Sequence, residues 1–292
     1  EQQAPSSVAH AQTVHGRDLA QGELEDLFPS PWRHVEQREG AVMSFFCDTD
    51  THVVTRAKEA IVERPHGTIL VGDAGTDSMR EVLAMTTYMY GVFSAQTVYG
   101  NTSFHKMNSM PREPLGLSRV SGMRIYFEDM SGLKVLGTPS VFEMTRDGCC
   151  WVYVLDNETI TVRADLDGGR DSFTIKATTT AAARRFTISN ELVMGAAETD
   201  LNATLEVDYE ARVLTMVEAG KSMSTERGIR LAFGIAWSAE SFIQAIGGSE
   251  LLGAQGADSL LVMQTKPTQQ FELRIAGSLS GTGDVIKKLS AD

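Results

Sequence analysis

Basic side chains are in deficit: 26 Lys and Arg face 38 Asp and Glu, a formal net charge of −12. Phosphate-backbone binding needs a broad basic surface, so this balance excludes a nucleic-acid partner and leaves room for at most a local anion site. Long apolar runs are absent too, none approaching the roughly 18 residues of a membrane-spanning helix, which argues against a membrane partner. Cysteine is scarce. Cys47, Cys149 and Cys150 cannot all pair, and the adjacent two are badly placed to bridge each other. Free thiols in a reducing, cytoplasmic compartment are expected, with a single disulfide from Cys47 the alternative. The first residues, EQQAPSSVAHAQTVHGRD, have no basic stretch followed by an apolar one, so they do not read as a secretory signal.

Catalytic motifs are missing as well. The six histidines, His10, His15, His34, His52, His66 and His105, show no H-E-x-x-H or helix-face spacing, and no metal site is expected. Cys149 and Cys150 lack the two-residue gap of a zinc or redox motif and read as buried thiols. The glycine-flanked run at 277–281 puts Leu279 where a hydrolase elbow needs serine. The glycine-rich run at 247–256 fits neither nucleotide fingerprint, so no cofactor is expected. Asp165 and Asp167 share a strand face but run into Gly168 and Gly169, a solvated hairpin end rather than a glycosidase acid pair.

What the chain does have is period-two alternation. From MRIYFED at 123–129 to QQFELRIAG at 269–277, ten short β segments follow one another with turn residues between them, which predicts stacked antiparallel sheets. Residues 1–27 read as a flexible tail, or an arm that orders on a partner, and 28–292 as a single domain. Phe28 and Trp32 are placed to pin a proline-rich entry segment onto the body. Residues 50–64 allow a short helix, 83–99 read as one strand with a bulge at Gly91, and 241–246 and 285–289 are the expected small helical pieces.

One stretch stands apart. Residues 98–124, VYGNTSFHKMNSMPREPLGLSRVSGMR, are denser in hydrogen-bonding side chains than an ordinary strand or helix. Asn101, His105, Lys106, Arg112 and Arg119 could bind an anion or sugar hydroxyls, because arginine forks recognise oxyanions and amides recognise hydroxyls. A structured crossing loop whose polar groups satisfy buried backbone is the alternative, and the residues alone leave the two even.

The runs YGNTSFHK at 99–106, REPL at 112–115, SGMRI at 121–125, LGTPSVFEM at 136–144 and WVY at 151–153 resemble the N-terminal sandwich of inverting β-glucoside phosphorylases. The 1,2-β-oligoglucan phosphorylases and the phosphorylase-like part of cyclic β-1,2-glucan synthases are most similar. The likeness covers roughly residues 67–195 and fades beyond. It implies a mainly β, galactose-mutarotase-like supersandwich with a few short helices. In that family a separate (α/α)6 barrel supplies the general-acid aspartate, and inorganic phosphate attacks a β-glucan oligosaccharide with inversion and without cofactor or metal. Here the long alternating helices of such a barrel are missing from the sequence. The resemblance therefore implies a sandwich domain or subunit without turnover of its own, which supports a barrel, a homodimer contact or the substrate cleft.

Two further readings accompany this one. A stand-alone carbohydrate-binding or assembly module would use rings such as Trp32, Tyr99 and Trp237. An epimerase-like enzyme would need Glu143 and His105 to converge in a cleft.

Overall fold

The computed structural model describes residues 11–62, 67–71, 82–100, 105–108, 122–167, 171–194, 203–220, 223–253 and 260–290. Strict alternation is what builds it. In Ser172–Thr179, Phe173, Ile175 and Ala177 are fully buried, while Thr174, Lys176 and Thr178 between them are half-exposed, so the pleat sends one face inward.

Among the described residues, eleven strands form one sheet. From edge to edge they run Ala203–Asp208, Val213–Glu218, Ala232–Trp237, Gln270–Ser278, Ser172–Thr179, Thr159–Asp167, Gly148–Val154, Val141–Met144, Thr51–Thr55, Ala41–Cys47 and Arg33–Arg38. Ten strands form the second sheet. Its main path is Ile243–Gly247, Leu260–Thr265, Phe186–Glu191, Met123–Asp129, Val92–Tyr99, Leu83–Tyr88 and Gly67–Val71, with Gln12–Val14, Lys106–Asn108 and Gly132–Leu136 branching from it. All named pairings are antiparallel except that of Gln12–Val14 with Gly132–Leu136.

The main core fills the space between the sheets. Trp151 of the larger sheet meets Phe93 of the smaller at 4.8 Å between ring centroids, and Phe186 meets Phe271 at 5.3 Å, both edge to face. Each fully buried side chain of this size contributes roughly 1.5–3 kcal/mol. Smaller clusters cover the outer faces: Leu24 and Phe28 pack on Phe45, Cys47 and Cys150, while Val285 and Leu289 pack on Val213, Ala232 and Ala276. The protein is mainly antiparallel β with short helices, as the alternation predicts.

Local departures from the sequence reading have physical causes. Residues 11–27 are ordered against the body, because Gln12–Val14 pairs with Gly132–Leu136 and the helix Gln21–Leu27 buries Leu24 to 1% exposure. Residues 51–62 divide into a strand, Thr51–Thr55, and a helix, Arg56–Val62. Residues 83–99 form a hairpin rather than one strand. Gly91 turns it at φ +83°, where a Cβ would lie 2.4 Å from the Leu136 carbonyl, so glycine is required. Ile243–Gly247 is an edge strand after a short 3-10 turn, not a helix, because pairing with Leu260–Thr265 overrides its weak local preference. The expected helix at 285–289 is present as Thr282–Ser290.

Candidate functional site

Segment 98–124 enters and leaves the fold through buried anchors. At the entrance Tyr99, 4% exposed, accepts a hydrogen bond from Lys288 Nζ at 2.9 Å and donates to Asp171 at 3.4 Å. The same ammonium donates to the Gly277 carbonyl at 3.0 Å, sits 4.4 Å from the Tyr99 ring centroid and lies 3.6 Å from Asp284. Burial works against its charge. The Tyr99 phenol, Asp171 and Asp284 outweigh that and hold the Lys288 pKa above its ordinary value.

Within the segment, Lys106–Asn108 is a three-residue strand stitched on both sides. Val98 and Thr97 pair with Lys106 and Asn108, the Tyr99 amide donates to the His105 carbonyl at 2.8 Å, and the Val193 amide donates to the Met107 carbonyl at 2.8 Å. Asn108 is fully buried and donates to Asn190 at 3.1 Å. His105 and Lys106 are 8% and 4% exposed. Burial lowers the His105 pKa against an opposing hydrogen bond to the Tyr99 backbone, so the ring is neutral near pH 7. Asn101, Arg112 and Arg119 lie outside the described residues.

At the exit, Gly122 has φ +82°, and a Cβ there would come within 2.6 Å of the Ser94 carbonyl. Arg124, 6% exposed, then reaches the Tyr90–Gly91 turn, donating to the Gly91 carbonyl at 2.9 Å and the Tyr90 carbonyl at 3.3 Å. Burial lowers its pKa against the opposing influence of Tyr126, Tyr90 and Tyr153, and its Nε has no partner among the described residues. Lys288 and Asp171 are structural participants that sequence reasoning did not single out, whereas Arg124 lies within the marked stretch. Lys288 is 189 residues from Tyr99, and no local pattern joins them.

Other candidates fall elsewhere. The three thiols are free and buried, with burial pushing Cys150 up to about 12 and Cys47 and Cys149 also upward, so none is a ready nucleophile. Glu143 pairs with Cys150, which packs in the cluster on the outer face of the larger sheet, while His105 is rooted in the smaller sheet. The two do not converge, and an epimerase pair is excluded. Trp32 is stacked on Phe45 at 4.0 Å and, as expected, pins the entry segment, while Tyr99 and Trp237 are 4% and 6% exposed, so neither of the latter two offers an open ring. A cavity of about 760 Å³ beside the start of Thr282–Ser290 is lined by Glu218, Thr225, Arg230, Ser280 and Thr282 among others. It has no aromatic wall. Among the described residues no cluster of three or more His, Cys, Asp or Glu could hold a metal ion.

The sequence that folds into these two face-packed sheets matches a known domain. The family model for the glycoside phosphorylase supersandwich domain matches residues 28–277. The chain belongs to this family. The start of the match coincides with Phe28, which with Trp32 fixes the chain onto Phe45. A 1,2-beta-oligoglucan phosphorylase from Listeria innocua serovar 6a is 36% identical over 195 residues, covering 66% of this chain and 18% of the relative. The aligned part of the chain therefore spans less than a fifth of that relative's length.

Proposed function

We propose that this supersandwich serves a β-glucan phosphorylase acting on β-1,2-linked oligosaccharides in the cytoplasm. It carries and orients a catalytic (α/α)6 barrel, in the same polypeptide or as a separate subunit, and contributes to a homodimer contact. Inorganic phosphate and glucan meet in the barrel's cleft, and the supersandwich has no turnover alone. In this reading Asn101, Arg112 and Arg119 are the substrate or interface residues of segment 98–124, while His105 and Lys106 set the segment's base. The observation that carries this reading is the double anchoring of the segment. Tyr99 held by Lys288 and Arg124 locked on the Tyr90–Gly91 turn give a rigid mount, and binding residues are effective on loops that a scaffold fixes. The activity named for the relative supplies the substrate class.

The test incubates the 292-residue chain with β-1,2-gluco-oligosaccharides and inorganic phosphate, with and without a separately produced family barrel. Sugar phosphate is expected only when the barrel is present. Its formation by the supersandwich alone would sink the proposal.

A further inference from the structure

Phe242 is an aromatic residue where the backbone does not favour one. Its φ of 48° and ψ of 44° place it in the left-handed region, which bulky side chains rarely adopt, and its side chain is still 54% exposed. The surroundings hold it there. Buried Ser241 accepts the Glu272 amide at 2.8 Å and donates to the Glu272 carbonyl at 3.0 Å, and the Lys266 amide donates to the Phe242 carbonyl at 2.9 Å. A strained, over-determined position that presents a ring to solvent is a pattern found at binding sites.

The residues beside it are amides. Gln244, exposed on the edge strand Ile243–Gly247, donates to the Gln264 side-chain oxygen at 3.2 Å, and Gln264 donates to Thr187 at 3.4 Å. The register shift between Ile243 and Ala245 brings Gln244 across to Gln264. Each amide spends one N–H in this row, so the second N–H of each and the Gln244 oxygen have no further bond among the described residues. Nearby Glu240 is occupied by Gln270 at 2.6 Å. A ring beside neutral groups that both donate and accept suits a neutral polyhydroxyl ligand, whereas an anion would call for a cluster of cations.

We propose that the Phe242, Gln244 and Gln264 surface is a carbohydrate-contact site, with Phe242 stacking on a pyranose ring and the two amides binding its hydroxyls. That the sugar is a β-1,2-glucan rests on the phosphorylase reading above. The rigid turn lowers the ordering cost of binding, so the site is preformed.

The experiment is calorimetric titration of the 292-residue chain with β-1,2-gluco-oligosaccharides and, separately, a β-1,3-gluco-oligosaccharide, alongside sedimentation analysis. Phe242→Asn keeps a side chain that tolerates the left-handed backbone, Phe242→Trp keeps a ring, and Gln264→Ala removes an amide; thermal melts check that each variant folds. The expected result is β-1,2-glucan binding that weakens about tenfold or more in Phe242→Asn and Gln264→Ala and survives in Phe242→Trp. Binding unaffected by Phe242→Asn overturns the site and leaves the phosphorylase reading standing. Phe242-dependent binding of the β-1,3 chain alone supports the site and overturns the β-1,2 assignment. No binding of either sugar, or self-association abolished by Phe242→Asn without sugar binding, overturns the site.

Discussion

His105 shows how far a polar residue's role depends on its backbone. Sequence density marks it as a candidate ligand, yet Lys106–Asn108 pairs into the sheet and leaves the imidazole 8% exposed. No periodicity announces a strand of three residues, so the burial of His105 and Lys106 was not legible, whereas the alternation in Ser172–Thr179 was. Because folding lowers the His105 pKa from its ordinary 6.5, its contribution to stability is present above pH 6.5 and is lost as pH falls through the folded value. The stability gap between the wild type and His105→Gln should therefore narrow between about pH 7 and about pH 5. Urea denaturation at both pH values measures it, and an unchanged gap would mean that the ring titrates as it does in water.

At the scale of elements, the helix Thr282–Ser290 was visible from apolar residues at i and i+4, and its packing explains why. Val285 and Leu289 press on the strand Ala232–Trp237 at Gly234, where a Cβ would lie 2.6 Å from Val285 and 2.8 Å from Leu289. Gly234→Ala should overpack this contact and destabilise the fold by about 1–3 kcal/mol, read from the denaturant midpoint. Ile243–Gly247 was misread for the opposite reason. Its strand character comes from a partner 15 to 22 residues on, Gly247 opposite Val262 being the near end of that pairing and Ile243 opposite Thr265 the far end, which local propensity does not encode. The helix also carries Lys288. Its pKa lies above its ordinary 10.5 in the folded state, so the stability it contributes is fully present below pH 10.5 and is lost as pH rises through the folded value. Lys288→Met should cost about 1–2 kcal/mol at neutral pH, with a deficit that shrinks as pH rises through the folded value of Lys288, read by urea denaturation. A deficit unchanged in base would mean that the charge of Lys288 contributes nothing to the contact.

At the scale of the whole molecule, the alternation predicts sheets but not which strand joins which, because the chain crosses between them repeatedly. Two crossings meet at one corner. The chain passes from Ser172–Thr179 to Phe186–Glu191 through 180–185 and returns from Leu260–Thr265 to Gln270–Ser278 through 266–269. Arg184 and Thr268 exchange backbone hydrogen bonds there at 2.9 Å each, joining the two connections. The Arg184 side chain then clasps Glu158 of the larger sheet's adjoining hairpin, with Nε at 2.9 Å from the carboxylate, and lies 5.6 Å from the Phe127 ring centroid of the smaller sheet. Side-chain exposures of 23% for Arg184 and 7% for Glu158 make this a largely desolvated pair, which also accepts a bond from Thr179 at 2.8 Å. Truncating Arg184 alone leaves a nearly buried carboxylate without its counter-ion, so Arg184→Ala should destabilise by about 2–4 kcal/mol, more than a surface pair would. Replacing Glu158 as well removes the stranded charge. A cycle of Arg184→Ala, Glu158→Ala and the double variant should therefore show a coupling of about 1–3 kcal/mol by urea denaturation. Additive losses would mean that the corner is held by the backbone exchange with Thr268 and by packing on Phe127, with the ion pair contributing nothing to the joining of the two sheets.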